Sequence, residues 1–123
     1  MLVDYLLDTN IFILLFDNCL AEEVPDGNLS YSVITEIELL SFAGLTEADK
    51  KLIQRHLRQL QTVPLDQAVC DKAILLRRQY RLKTPDAIVV ASAWKMNACL
   101  LTNDQRLMSI DQVETRSLEV KGA

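Results

Sequence analysis

Val3–Asp4–Tyr5–Leu6–Leu7–Asp8–Thr9–Asn10 is a short apolar run that stops on an acid and then turns polar. Val3–Leu7 reads as a buried strand, because a brief apolar segment bounded by polar residues suits a strand covered on both faces. A second stretch repeats the pattern: Ala98–Cys99–Leu100–Leu101 is followed by Thr102–Asn103–Asp104. Between them, apolar periodicity changes to that of helices. Val33–Ala43 and Thr46–Leu60 read as helices separated by Gly44, with Thr46–Glu47–Ala48–Asp49 as an N-terminal signature. Leu29–Ser32, Thr62–Leu65 and Glu114–Leu118 read as further strands. Asp66–Arg81, Thr84–Met96 and Gln105–Ser109 read as further helices, with Thr84 as a cap and Pro85 at the first helical position. Strands alternating with helices predict an α/β protein, a three-layer α/β/α sandwich around a central parallel sheet.

The chain has 123 residues, half of them hydrophobic, enough for one core. Residues 1–119 are expected to form that single domain, with 120–123 a short C-terminal tail. The longest apolar run, Ile11–Phe16, is far below the roughly 20 residues that span a bilayer, and no basic start suggests a signal peptide. Cys19, Cys70 and Cys99 are scattered and odd in number, which suits a reducing compartment. A cytoplasmic protein is expected.

Charge is unevenly placed. Residues 1–49 hold ten carboxylates and no Lys or Arg, whereas 50–83 hold Lys50, Lys51, Arg55, Arg58, Lys72, Arg77, Arg78, Arg81 and Lys83 against Asp66 and Asp71. The net charge of −4 therefore conceals a basic middle. It reads either as a phosphate-attracting surface beside an acidic site or as solvated helix faces.

Exclusion narrows the chemistry. A single histidine, His56, expected on the surface, rules out two-histidine catalysis and a histidine-based triad within this chain. No histidine–cysteine set has zinc spacing, and no glycine-rich phosphate loop is present. Carboxylates are left. Asp8 and Asp104 end two strands, and the C-terminal ends of parallel strands share one edge. Asp86 opens a helix of apolar body, and Glu38 lies in a helix too apolar to be freely exposed, with Glu36 its competitor. Acids crowded at one edge stay ionised only beside a cation, and oxygen-only ligands favour Mg²⁺ or Mn²⁺. Taken singly, Asp8, Asp86 and Asp104 also stand where a carboxylate caps a helix or complements its dipole.

Four blocks of the chain resemble the PIN domain, in its VapC-like toxin ribonuclease branch. They are Leu6–Leu7–Asp8–Thr9–Asn10–Ile11, Ser32–Val33–Ile34–Thr35–Glu36–Ile37–Glu38–Leu39, Pro85–Asp86–Ala87 leading to Ala91–Ser92–Ala93, and Leu100–Leu101–Thr102–Asn103–Asp104. They occur in family order across nearly the whole chain, and the register of the second selects Glu38. The resemblance implies that Asp8, Glu38, Asp86 and Asp104 bind one or two Mg²⁺ or Mn²⁺ ions and cleave RNA with a metal-activated water. It also implies a homodimer silenced by a VapB-type antitoxin. Thr9 and Thr102 become expected supporting or phosphate-facing groups, and Lys50, Lys51, Arg55, Arg77, Arg78 and Arg81 expected contacts to the RNA backbone. Two rivals stand beside this: a non-catalytic PIN-like scaffold, and an aspartyl-phosphate protein of the receiver or phosphatase type. The second lacks an acidic pair after strand one, and position 10 is Asn where a phosphatase needs Asp. Ile11, Phe12, Leu14, Leu15 and Phe16 cannot all face one core from a single helix, which leaves some of them for a dimer or antitoxin groove or for burial under neighbouring helices.

Overall fold

The computed structural model describes residues 2–122; Met1 and Ala123, the outer limits of the expected domain and tail, lie outside the described residues. Five strands, β1 (Asp4–Leu7), β2 (Asn28–Ser32), β3 (Gln61–Val63), β4 (Cys99–Leu101) and β5 (Thr115–Arg116), form one sheet in the order β3-β2-β1-β4-β5. Every pairing is parallel, with Leu6 opposite Ser30 on one side and Leu100 on the other. Successive side chains of a strand point to opposite faces, and the central strand shows it. Leu6 and Leu100 enter one core, with Val63, while Tyr5, Leu7 and Leu101 enter the other.

Helices cover both faces. The helices α1 (Thr9–Phe16), α2 (Val33–Leu40) and α3 (Glu47–Arg58) bury Ile11, Phe12, Leu39, Ile53 and Leu57 against the Tyr5 face. On the Leu6 face lie α4 (Gln67–Tyr80), α5 (Thr84–Met96) and α6 (Gln105–Met108). The expected three-layer α/β/α sandwich is thus the architecture found. Seven consecutive residues of α5, Ala87 to Ala93, are buried. Four of the seven are Ala or Ser, which lets the helix lie between sheet and α4, and Ser92 satisfies its hydroxyl on the Ile88 carbonyl at 2.7 Å.

Some element boundaries differ from those expected. Lys83 rather than Thr84 occupies the cap of α5, and Thr84 is its first residue; Pro85 is tolerated one position further in, because first-turn N–H groups have no partner within the helix. The last strand shrinks from Glu114–Leu118 to Thr115–Arg116, since beyond them Leu118 turns to hydrogen-bond Asn103. Within 120–123, Val120 bridges Leu20, and the Lys121 N–H donates to the Cys19 carbonyl at 2.7 Å. Among the described residues no helix is long and apolar enough to cross a membrane.

Candidate active site

Strand order determines where the chemistry gathers. The chain steps outward from β1 through β2 to β3, then returns to lay β4 on the other flank of β1. Connections leaving β1 and β4 depart to opposite faces, opening a crevice at the C-terminal ends of these two strands. Asp8 follows β1, and Thr102–Asn103–Asp104 follow β4. This order also separates the chain from the receiver type, whose doubly wound sheet runs 2-1-3-4-5.

Asp8 is 8% exposed and is the N-cap residue of α1, yet its carboxylate makes no capping hydrogen bond. It accepts instead from Thr102 Oγ1 at 2.9 Å, and Thr102, fully buried, also accepts from the Asp104 N–H at 3.1 Å. Asp104 does cap: its Oδ1 accepts from the Arg106 N–H at 2.9 Å at the head of α6. Asp86, half-buried, sits in the first turn of α5. From the opposite layer, Glu38 Oε1 accepts from Thr9 Oγ1 at 2.7 Å, and the Thr9 oxygen lies 2.9 Å from that of buried Thr35. Glu38 itself is exposed, contrary to the expectation from its apolar helix, because Ile37 and Phe42 beside it are uncovered as well.

The four acids interact electrostatically. Burial pushes the Asp8 carboxyl above its usual range; the Thr102 and Thr9 hydrogen bonds oppose the rise, and the charges of Asp86 and Asp104 add to it. Burial likewise raises Asp86, followed by the charge of Asp104 and, more weakly, of Glu38, with Arg106 and Lys83 opposing. The Arg106 guanidinium stands 3.9 Å from Asp104 Oδ1 and 4.0 Å from Asp86 Oδ2. Among the described residues, no three Asp, Glu, His or Cys side chains stand close enough to share one metal ion. The donor set nevertheless suits a hard divalent cation: four carboxylates, with burial opposing ionisation of the two most enclosed, Asp8 and Asp86.

Of the basic residues in the stretch 50–83, Lys83 is the one whose charge is felt at Asp86. Lys50, Lys51 and Arg55 are exposed on α3, and Arg77 and Arg78 on α4 with Arg81 just after it. Arg77 is engaged structurally, its Nε donating to the Leu82 carbonyl at 3.0 Å. The cations whose charge reaches Asp86 are Arg106 and Lys83. Arg106 escaped the sequence reading because it belongs to no basic cluster; its signal was position, two residues past an acid that caps a helix. His56 is exposed as expected, its ring tilted against Phe16 at 5.3 Å.

Beside Glu38, the outward faces of α1, α2 and α3 enclose a groove of about 340 Å³. Ile13, Phe16, Phe42, Leu45 and Leu52 line it, with Asp17, Glu38 and Asp49 at its acidic positions. Phe42 is 69% exposed, Leu52 46% and Ile13 40%, so the apolar excess of Ile11–Phe16 is divided between core and groove.

A PIN-domain family model matches residues 5–113. A toxin–antitoxin complex from Klebsiella pneumoniae contains a chain 27% identical, with 89% of this chain and 94% of that chain covered and a TM-score of 0.76. VapBC2 from Rickettsia felis, bound to a DNA fragment from its promoter, matches at 18% identity over 95% and 100% of the two chains, with a TM-score of 0.79. VapBC-1 from nontypeable Haemophilus influenzae matches at 23% identity over 94% and 98%, with a TM-score of 0.75. Among curated proteins none matches the chain in sequence.

Proposed function

The chain belongs to the PIN-domain family, and from that footing we propose that it is a cytoplasmic metal-dependent endoribonuclease, the toxin of a VapBC-type pair. What supports this reading is the mutual charge of the acids at the C-terminal ends of β1 and β4: Asp8 feels Asp86 and Asp104, Asp86 feels Asp104 and Glu38, and burial raises both Asp8 and Asp86 above the usual carboxyl range.

Asp8, Asp86 and Asp104 are the residues that would hold Mg²⁺ or Mn²⁺, with Glu38 as a further ligand or acting through a water. Bound there, the ion would supply water activation and positive charge beside the phosphoryl oxygens. Thr102 orients Asp8 and anchors the Asp104 backbone; Thr9 holds Glu38 toward the crevice. Lys83 and Arg106 supply positive charge near Asp86 that suits the phosphodiester. The exposed Lys50, Lys51, Arg55, Arg78 and Arg81 offer weaker, sequence-independent attraction to the backbone of a longer RNA, and Arg77 joins them through the part of its guanidinium not spent on Leu82. In-line attack by water leaves a 5′-phosphate and a 3′-hydroxyl.

The groove beside Glu38 suits a VapB-type antitoxin segment with apolar side chains for Phe42 and Leu52 and a basic residue for the acids. Solved VapBC complexes among the structural neighbours support such a partner. A homodimer belongs to the same reading, and Ile74 and Leu75, exposed on α4, offer apolar surface for it.

The test is cleavage of total RNA by purified protein with Mn²⁺ and with chelator, the ends being mapped. Cleavage that needs Mn²⁺, leaves 5′-phosphates and disappears in Asp8→Asn supports the reading. Equal cleavage by that variant, or none under any divalent cation with the partner removed, refutes it.

A further inference from the structure

Among the described residues, Arg106 is the one basic side chain that pairs with acids from two different elements of the crevice. Its Nε stands 3.9 Å from Asp104 Oδ1 and its Nη2 4.0 Å from Asp86 Oδ2, linking the head of α6 to the first turn of α5. Both separations are at the outer limit of an ion pair and neither is a bidentate fork, so the guanidinium is held loosely. The side chain is 67% exposed and, among the described residues, has no other ion pair or hydrogen bond. A structural arginine looks different here: Arg77 is fastened to a carbonyl at 3.0 Å. Four acids converge, yet no three of them close to the spacing that one ion requires, and a planar cation broader than a metal ion lies against two of them.

Resting on the metal-dependent reading above, we propose that Arg106 is a built-in counter-ion, displaced from Asp86 and Asp104 when a divalent cation loads and then free to hold the RNA phosphate. Mg²⁺ and Mn²⁺ bind carboxylate oxygens at about 2.1 Å. Bringing Asp86 and Asp104 around such an ion removes the room between them, and a guanidinium left there would face a doubly charged neighbour. The side chain needs only a rotation to leave, since nothing but solvent covers two-thirds of it. Its backbone stays fixed, because the Arg106 N–H remains on Asp104 Oδ1 at the cap of α6. A fork of N–H donors released at the lip of the crevice is complementary to phosphate oxygens. Arg106 is thus a positioning residue that acts twice, first against the ion and then for the substrate.

Mn²⁺ binding to the whole purified chain, followed by calorimetry, tests the first action without any turnover. Replacing Arg106 by Gln removes a competing charge and is expected to tighten Mn²⁺ binding about fivefold, while R106K stays near the parent value. With Mn²⁺ saturating, R106Q should raise KM for a short RNA about tenfold and leave kcat within about twofold, as expected for a lost charge-assisted phosphate contact. Unchanged or weaker Mn²⁺ binding in R106Q overturns the proposal, as does a fall in kcat at unchanged KM. Asp86→Asn separates the two levels of inference. If the parent binds Mn²⁺, Asp86→Asn does not and R106Q binds as the parent does, the counter-ion role fails and the nuclease reading stands. If the parent binds no Mn²⁺, both fall.

Discussion

Thr102 Oγ1 donates a 2.9 Å hydrogen bond to Asp8 Oδ2 across 94 residues of sequence, joining the ends of β1 and β4 where the sheet changes direction. The same oxygen accepts from the Asp104 N–H at 3.1 Å, so one buried hydroxyl positions two acids. Thr102→Val preserves shape and removes both bonds, freeing Asp8 to turn and to rise further above its usual carboxyl range. Loss of such a supporting group is expected to lower Mn²⁺-dependent cleavage about 10–100-fold while the protein still folds, with Thr102→Ser restoring most of it. Initial rates alongside thermal melts check this. Full activity in the Val variant would show that the bond is incidental.

Asp8→Asn should separate stability from activity. The carboxylate is 8% exposed, and burial is the leading cause of its raised pKa. The neutral amide keeps an oxygen for Thr102 and abolishes the cost of an enclosed charge. Without metal the variant should be more stable by about 1 kcal/mol, which is about 3–5 °C in Tm, even as cleavage disappears. A lower Tm would mean that Asp8 contributes structurally through contacts an amide cannot make.

Much of this site could be read from the chain because acids placed directly after short apolar strands have little freedom. Leu7–Asp8 and Leu101–Thr102–Asn103–Asp104 fall together once β1 and β4 pair in parallel. Asp104 does cap, its Oδ1 accepting from the Arg106 N–H at the head of α6, and the same side chain is the one proposed to hold the ion. Periodicity of α2 left Glu36 and Glu38 equivalent, because the difference is a tertiary bond to Thr9, a residue 29 positions away. Arg106 was invisible for a different reason. Clustered cations draw attention to α3 and α4, whereas the charge that reaches Asp86 comes from Arg106 and Lys83, one at the head of a four-residue helix and the other at the cap of α5.

The pH dependence of stability should reverse when metal is added. Asp8 and Asp86 bind protons more readily folded than unfolded. Between the ordinary carboxyl value and the raised one, the folded state therefore holds more protons, and metal-free stability falls as pH rises through that window. A divalent cation substitutes for those protons, so its stabilising effect should be full near about pH 7 and vanish by about pH 4. Melts with and without Mn²⁺ across that range check the crossing. A metal-induced shift in Tm that is the same at both ends would place the ion somewhere other than these carboxyls.

Phe42 and Leu52 are 69% and 46% exposed and line the space between α2 and α3 without entering the core. Replacing each by Asp places a charge where a partner's apolar side chain would be desolvated, yet removes little buried area from the free chain, so folding should be within about 0.5 kcal/mol of the parent. Neither residue belongs to the acid set, and cleavage of RNA by the purified variants should be unchanged. Binding to an antitoxin segment would lose about 2 kcal/mol or more at each position, a weakening of about 30-fold. Titrating a VapB-type antitoxin into a cleavage assay measures it. If both variants are silenced at the same partner concentration as the parent, the groove is not where the inhibitor sits, and its exposed apolar surface needs another occupant.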